Sequence, residues 1–96
     1  MASQSNVTTD HKEIMNWVKK RNGKPARVRG TGGGKDPGLL RINFPGNDNG
    51  NLQNISWEEF FNKFEEEELA FLYQETTAEG ETSYFNKLIS RRQENR

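Results

Sequence analysis

Cysteine is absent from this 96-residue chain and histidine occurs once, at His11. Without cysteine there is no disulfide framework, no thiolate metal site and no Cys nucleophile, and one imidazole builds no metal cluster. No residue set has the spacing of a metal site, and none points to a cofactor. Long apolar runs are missing too: nothing approaches the roughly 18 residues that span a bilayer, and the opening MASQSNVTTD has neither a basic n-region nor an apolar stretch. The expected setting is cytoplasmic, away from membranes, and in that setting the sequon matches Asn6-Val7-Thr8 and Asn54-Ile55-Ser56 carry no meaning. Aliphatic residues are also few, and Leu, Ile, Val and Phe together number 19, close to the level at which chains stay disordered. Aromatics compensate. Six Phe, two Trp and two Tyr each bury on the order of 150–250 Å², enough for one small folded domain.

Net charge is zero because two halves cancel. Residues 1–54 hold nine Lys or Arg against four acids, whereas residues 55–96 hold five against ten Glu. Seven basic residues and no acid lie between Lys19 and Lys35, and Glu65 to Glu68 is an unbroken acidic run.

Helix signals are clear at two places. Asp10 with Glu13, and Ser56 with Glu59, have the spacing of capping boxes. The first helix is predicted from about His11 to Arg21 with Ile14, Trp17 and Val18 on one face, ending at Asn22-Gly23. The second is predicted over Trp57 to Glu67, with Trp57, Phe60, Phe61 and Phe64 recurring at helical spacing. Ala26-Arg27-Val28-Arg29 and Leu39 to Phe44 alternate as half-buried strands around a glycine-rich loop. Setting Arg29 opposite Arg41, Val28 opposite Ile42 and Ala26 opposite Phe44 gathers every apolar side chain on one face. NDNGNLQN, residues 47–54, reads as loop; Leu69 to Gln74 and Tyr84 to Ser90 read as a second hairpin around TAEGET.

The two caps lie 46 residues apart, which suggests a repeat. The expected fold is α+β: two helix-hairpin (αββ) units forming a four-stranded antiparallel sheet with both helices on one face. The domain is expected to span residues 10–91, between a disordered segment 1–9 and a flexible tail 92–96.

Gly30 to Gly38 invites comparison with a phosphate loop, because side-chain-free backbone N–H groups can converge on an anion. The detailed match fails: GTGGGKD has one residue too few before Lys35, Asp36 replaces a Mg²⁺-binding hydroxyl, and the loop joins two strands. Two readings remain: a plain turn in which the glycines supply positive φ, and an anion nest formed by Gly32, Gly33, Gly34 and Lys35. Arg27, Arg29 and Arg41 are expected to form a basic sheet face beside it. Arg29 and Arg41, if opposed, repel each other, so either an acid such as Glu75 or an external anion should neutralise them. No catalytic set is recognisable, since His11 has no Ser, Cys or paired carboxylate at a known spacing.

Three segments carry a resemblance: KPARVRGTGGGKDPGLLRINFPG from Lys24, ISWEEFFNKFEEEELAFLYQ from Ile55 and SYFNKLISR from Ser83. They resemble a family of small uncharacterised bacterial proteins, over about residues 10 to 91, some of which bear the name 1,4-alpha-glucan branching enzyme. Glucan transfer needs a large barrel presenting a carboxylate pair around a sugar, and a chain of this length cannot build one. The resemblance therefore supplies no catalytic residue. A monomeric, non-enzymatic binding module is expected, engaging an acidic protein or a nucleic acid through Arg27, Arg29, Arg41 and Lys35. The alternative is a small accessory enzyme or ligand-binding domain using the 30–38 loop as a phosphate site.

Overall fold

The computed structural model describes residues 5–34, 36–46 and 50–91. Lys35, expected in the anion nest, lies outside the described residues, as do positions 1–4 and 92–96 of the ends expected to be flexible. The chain runs β1 (Ser5–Thr8), α1 (His11–Lys20), β2 (Lys24–Val28), β3 (Leu40–Asn43), β4 (Leu52–Asn54), α2 (Trp57–Glu66), β5 (Leu69–Gln74) and β6 (Asn86–Ser90).

Both helices begin where their caps predict. The Ser56 hydroxyl accepts from Glu59 N, and the Glu59 carboxylate accepts from Ser56 N, a complete capping box. At α1 only half the box forms: Asp10 accepts from Lys12 N and Glu13 N. The Glu13 carboxylate instead accepts from the hydroxyls of Thr8 and Tyr73, tying the helix to β1 and β5. Asn22, at φ 60°, is the left-handed residue that ends α1.

The single four-stranded sheet expected from the sequence is not what forms. Six strands make two separate three-stranded antiparallel sheets, ordered β1-β5-β6 and β3-β2-β4. Each expected hairpin recruits a third strand from a segment too polar to announce itself. Ser5–Thr8, read as part of a disordered end, pairs with β5, and Leu52–Asn54, read as loop, pairs with β2. Ladder bonds come from the backbone, so a polar segment satisfies an open edge as well as an apolar one. The edges β3 and β6 approach each other without a ladder. Leu40 and Leu88 meet there on the core side, and like-charged Arg41 and Lys87 border the same gap, which opposes closer pairing.

The register of the first hairpin also differs from expectation. Pro25 faces Ile42, Ala26 faces Arg41 and Arg27 faces Leu40. The Thr31 hydroxyl fixes this by donating to Val28 O and accepting from Leu39 N, so that Val28 N bonds Leu39 O. A shift of three residues is odd, and it exchanges the faces of β2 against β3.

One core joins both sheets to both helices. Ile14, Trp17 and Val18 of α1 and Phe60 and Phe64 of α2 pack with Leu40, Ile42, Phe71 and Tyr73. Trp57 is partly buried against this cluster. Trp17 donates its indole N–H to Gln74 O (2.9 Å), and its ring sits edge-on to Phe71 and Tyr73.

Candidate functional site

The glycine-rich loop is laced to itself. Gly33 and Asp36 exchange two backbone bonds of 3.0 and 2.9 Å. Gly32 and Gly38, both at positive φ, cross so closely that a Cβ on Gly32 would lie 2.3 Å from Asp36 O and one on Gly38 2.2 Å from Thr31 Oγ1. Two side chains then pin the loop from opposite directions. Arg27 donates to Thr31 O, Pro37 O and Gln53 Oε1. Asp36 accepts from Gly38 N and from Lys63 Nζ of α2, both at 2.9 Å. These two bonds hold the Asp36 carboxyl below the usual carboxylate range, and the same pairing raises the Lys63 ammonium. A cavity of about 550 Å³ opens beside the loop, bordered by Gly33, Gly34, Arg27, Asp36 and Glu59. Its charges are two carboxylates and one guanidinium whose Nε and Nη1 N–H groups are already donated.

The expected basic residues therefore separate. Arg27 braces the loop. Arg29 is exposed at the turn after β2, and its backbone N–H bonds Asn51 O. Arg41 is exposed on β3 opposite Ala26, not opposite Arg29, and donates one N–H to Leu40 O (2.9 Å). Glu75 does not neutralise Arg29 or Arg41; its carboxylate lies 3.7 Å from Arg21. Arg21, read from sequence as part of a solvated basic run, is only 5% exposed. It donates to Ser83 O, Trp17 O and Glu75 O and stacks over Trp17 at 4.1 Å, clamping the end of α1 to the loop between β5 and β6.

Strand periodicity then sorts the side chains of the sheet layer. Toward the helices point Pro25, Leu40, Ile42, Phe71 and Tyr73, all buried. On the opposite, helix-free face the registers place Lys24, Ala26 and Val28 of β2, Arg41 of β3, Val7 of β1, Leu72 of β5 and Lys87 and Ile89 of β6. On this face Lys24, Arg41 and Lys87 are exposed and Val7 and Phe85 keep 40% and 46% of their surface, while the small Ala26 and Ala70 of the central strands are covered. None of the six strands contains an acid. Among the described residues neither Lys24, Arg41 nor Lys87 is in an ion pair; the pairs that form join Asp36 and Glu67 to Lys63, Glu65 to His11 and Arg91, and Glu75 to Arg21.

Two further polar clusters join the layers. His11 stacks on Phe61 (3.9 Å, 8° between planes), and its Nε2 lies 2.7 Å from Glu65 Oε2. That contact, with Arg91 beside it, lowers the Glu65 carboxyl. Burial and the neighbouring Glu13 carboxylate push the Tyr73 hydroxyl up to about 12. Sequence reading missed Lys24 and Lys87 as members of the outward face. Lys87 carried a signal, since it alternates with Leu88 along β6; Lys24 carried none, because the β2 register depends on Thr31.

No protein family, curated protein or solved structure matches the chain. No helix among the described residues is long and apolar enough to cross a membrane, and no group of three or more His, Cys, Asp or Glu residues there could hold a metal ion.

Proposed function

We propose that this chain is a small, non-enzymatic, cytoplasmic binding module that works as a monomer and engages an anionic partner through the helix-free face of its sheet layer. The carrying observation is a layer asymmetry: six acid-free strands present Lys24, Arg41 and Lys87 outward with no ion-pair partner among the described residues. Folding alone gives no reason to leave three cations on one face without an acid among them, since interspersed signs keep a surface soluble at lower repulsion. Apolar Val7, Leu72 and Ile89 beside them supply contact area. The laced glycine loop acts here as a rigid closure of the first hairpin, with its own Asp36 occupying the place of an anion. The test is a titration of ¹⁵N-labelled chain with a heparin oligosaccharide as a generic polyanion. Amide shifts concentrated on β2, β3 and β6, and fading with added salt, fit this reading. Shifts confined to residues 30–38 refute it in favour of the loop as the anion site.

A further inference from the structure

We propose that the seam between β3 and β6 seats an acidic polypeptide segment bearing apolar side chains between its carboxylates, which pair with Arg41 and Lys87. This rests on the reading of the helix-free face as the binding face and names its partner class.

The seam is a built feature. A cavity of about 270 Å³ lies there, lined by Leu40, Arg41, Asn86, Lys87 and Leu88. A second, of about 320 Å³, continues past Leu40 and Leu88 onto the α2 side, where Leu39 and Leu69 are joined by Lys63 and by the carboxylates Asp36 and Glu67. The first cavity alone is floored by Leu40 and Leu88 and bordered by Arg41 and Lys87 with no carboxylate, which suits a partner that alternates apolar and acidic groups there. Both flanking strands have main-chain groups outside any ladder. Val28 N bonds Leu39 O and Gln74 N bonds Phe85 O, so antiparallel alternation turns the N–H and C=O groups of Leu40 and Ile42, and those of Asn86 and Leu88, toward the seam. The outward Leu40 carbonyl is held by the guanidinium of Arg41, a donor that a carboxylate can draw away. An extended polypeptide supplies both the charges and the backbone groups that such edges accept.

Other occupants fit less well. A second copy meeting this face about a two-fold axis sets Lys24, Arg41 and Lys87 against themselves. A single-stranded nucleic acid asks for stacking platforms, and Phe85 is the one aromatic that the strand registers bring to this face. A bilayer surface leaves a concave trench unfilled.

The experiment uses the full chain, ¹⁵N-labelled, and four probes: a peptide of about twelve residues alternating Glu with Val and Leu, its Gln-for-Glu counterpart, an oligouridylate of similar length, and phosphatidylserine-containing vesicles. The acidic peptide is expected to shift the amides of Leu40, Arg41, Asn86, Lys87 and Leu88 saturably. The Gln peptide is expected to bind about tenfold more weakly, the order of two desolvated charge pairs. In R41E/K87E affinity for the acidic peptide falls by a similar factor and is regained by a Lys-for-Glu peptide; if R41E/K87E does not fold, R41Q/K87Q takes its place with a smaller loss. Equal binding of the Glu and Gln peptides, or shifts away from the seam, overturns the proposal. If the oligouridylate or the vesicles perturb the helix-free face and the acidic peptide does not, the binding face stands and the peptide class falls. If no probe perturbs that face, both fall.

Discussion

The two sides of the sheet layer are built from the same strands and do opposite things. On the helix-covered side Phe60, Phe64, Phe71, Ile14 and Val18 are fully enclosed, and Arg21, the one buried cation among the described residues, has three carbonyl acceptors. On the helix-free side Lys24, Arg41 and Lys87 stand among half-exposed aliphatics without an acid. The ion pairs among the described residues lie in the helix layer, its loops and the end of β6. The sheet's outer face has none. Stability and binding can therefore be altered separately, and substitutions on the two sides should differ in kind.

The largest effect is expected from Phe64→Ala, which empties the centre of the covered side and should cost about 3–5 kcal/mol in urea unfolding, most of what so small a domain has. Next comes Arg21→Ala. It leaves the buried Ser83 carbonyl without its donor and removes the packing of the guanidinium on Trp17, and should cost about 2–3 kcal/mol, with near-ultraviolet dichroism reporting a loosened Trp17. Gly38→Ala forces a Cβ onto Thr31 and should cost more than about 1 kcal/mol, whereas Gly33→Ala, in open space at an ordinary φ, should cost a few tenths at most.

pH separates the two kinds of polar contact. Glu65 and Asp36 are lowered from 4.5 and 3.8, so the stability they lend is complete above those values and is lost as pH falls through the lowered ones. Tyr73 is raised from 10.0 to about 12. Its contribution is complete below pH 10.0 and disappears as pH rises toward 12. The urea midpoint should decline at both ends, and Tyr73→Phe should flatten the alkaline decline alone; an unchanged alkaline slope in that variant contradicts the Glu13 contact. A similarly small stability effect belongs to the free face: reversing Lys24, Arg41 and Lys87 should leave the unfolding free energy within about 0.5 kcal/mol of the parent.

Much of the covered side was legible in the sequence. Caps at Asp10 and Ser56, the stripe of Trp57, Phe60, Phe61 and Phe64, and the hairpin at Leu69 to Gln74 depend on local chemistry and periodicity, and they fold as such. KPARV likewise forms β2, and SWEEFF is the capped start of α2. Sheet organisation was not legible. Ser5–Thr8 and Leu52–Asn54 become strands through backbone pairing with β5 and β2, an interaction that leaves no trace in side-chain pattern. The register around Thr31 was hidden for a related reason: Ala26 and Val28 are too small a hydrophobic signal to outweigh one hydroxyl that bonds Val28 and Leu39 together. Of the expected site only Arg41 keeps its assigned outward position on a strand. Arg27 was misplaced by that register, Lys24 was overlooked because the first strand was expected to begin at Ala26, and Lys87 because the basic face was read from the first hairpin alone.

Retention on immobilised heparin, compared between two variants of equal net charge, tests most directly whether the helix-free face binds. K24E/R41E/K87E reverses the outward cations of the sheets; K12E/K19E/K20E reverses three cations of α1. The face variant is expected to elute near the void at low salt, while the helix variant elutes within a small increment of the parent. Equal losses in the two would mean that overall charge, and not the acid-free face, carries the binding.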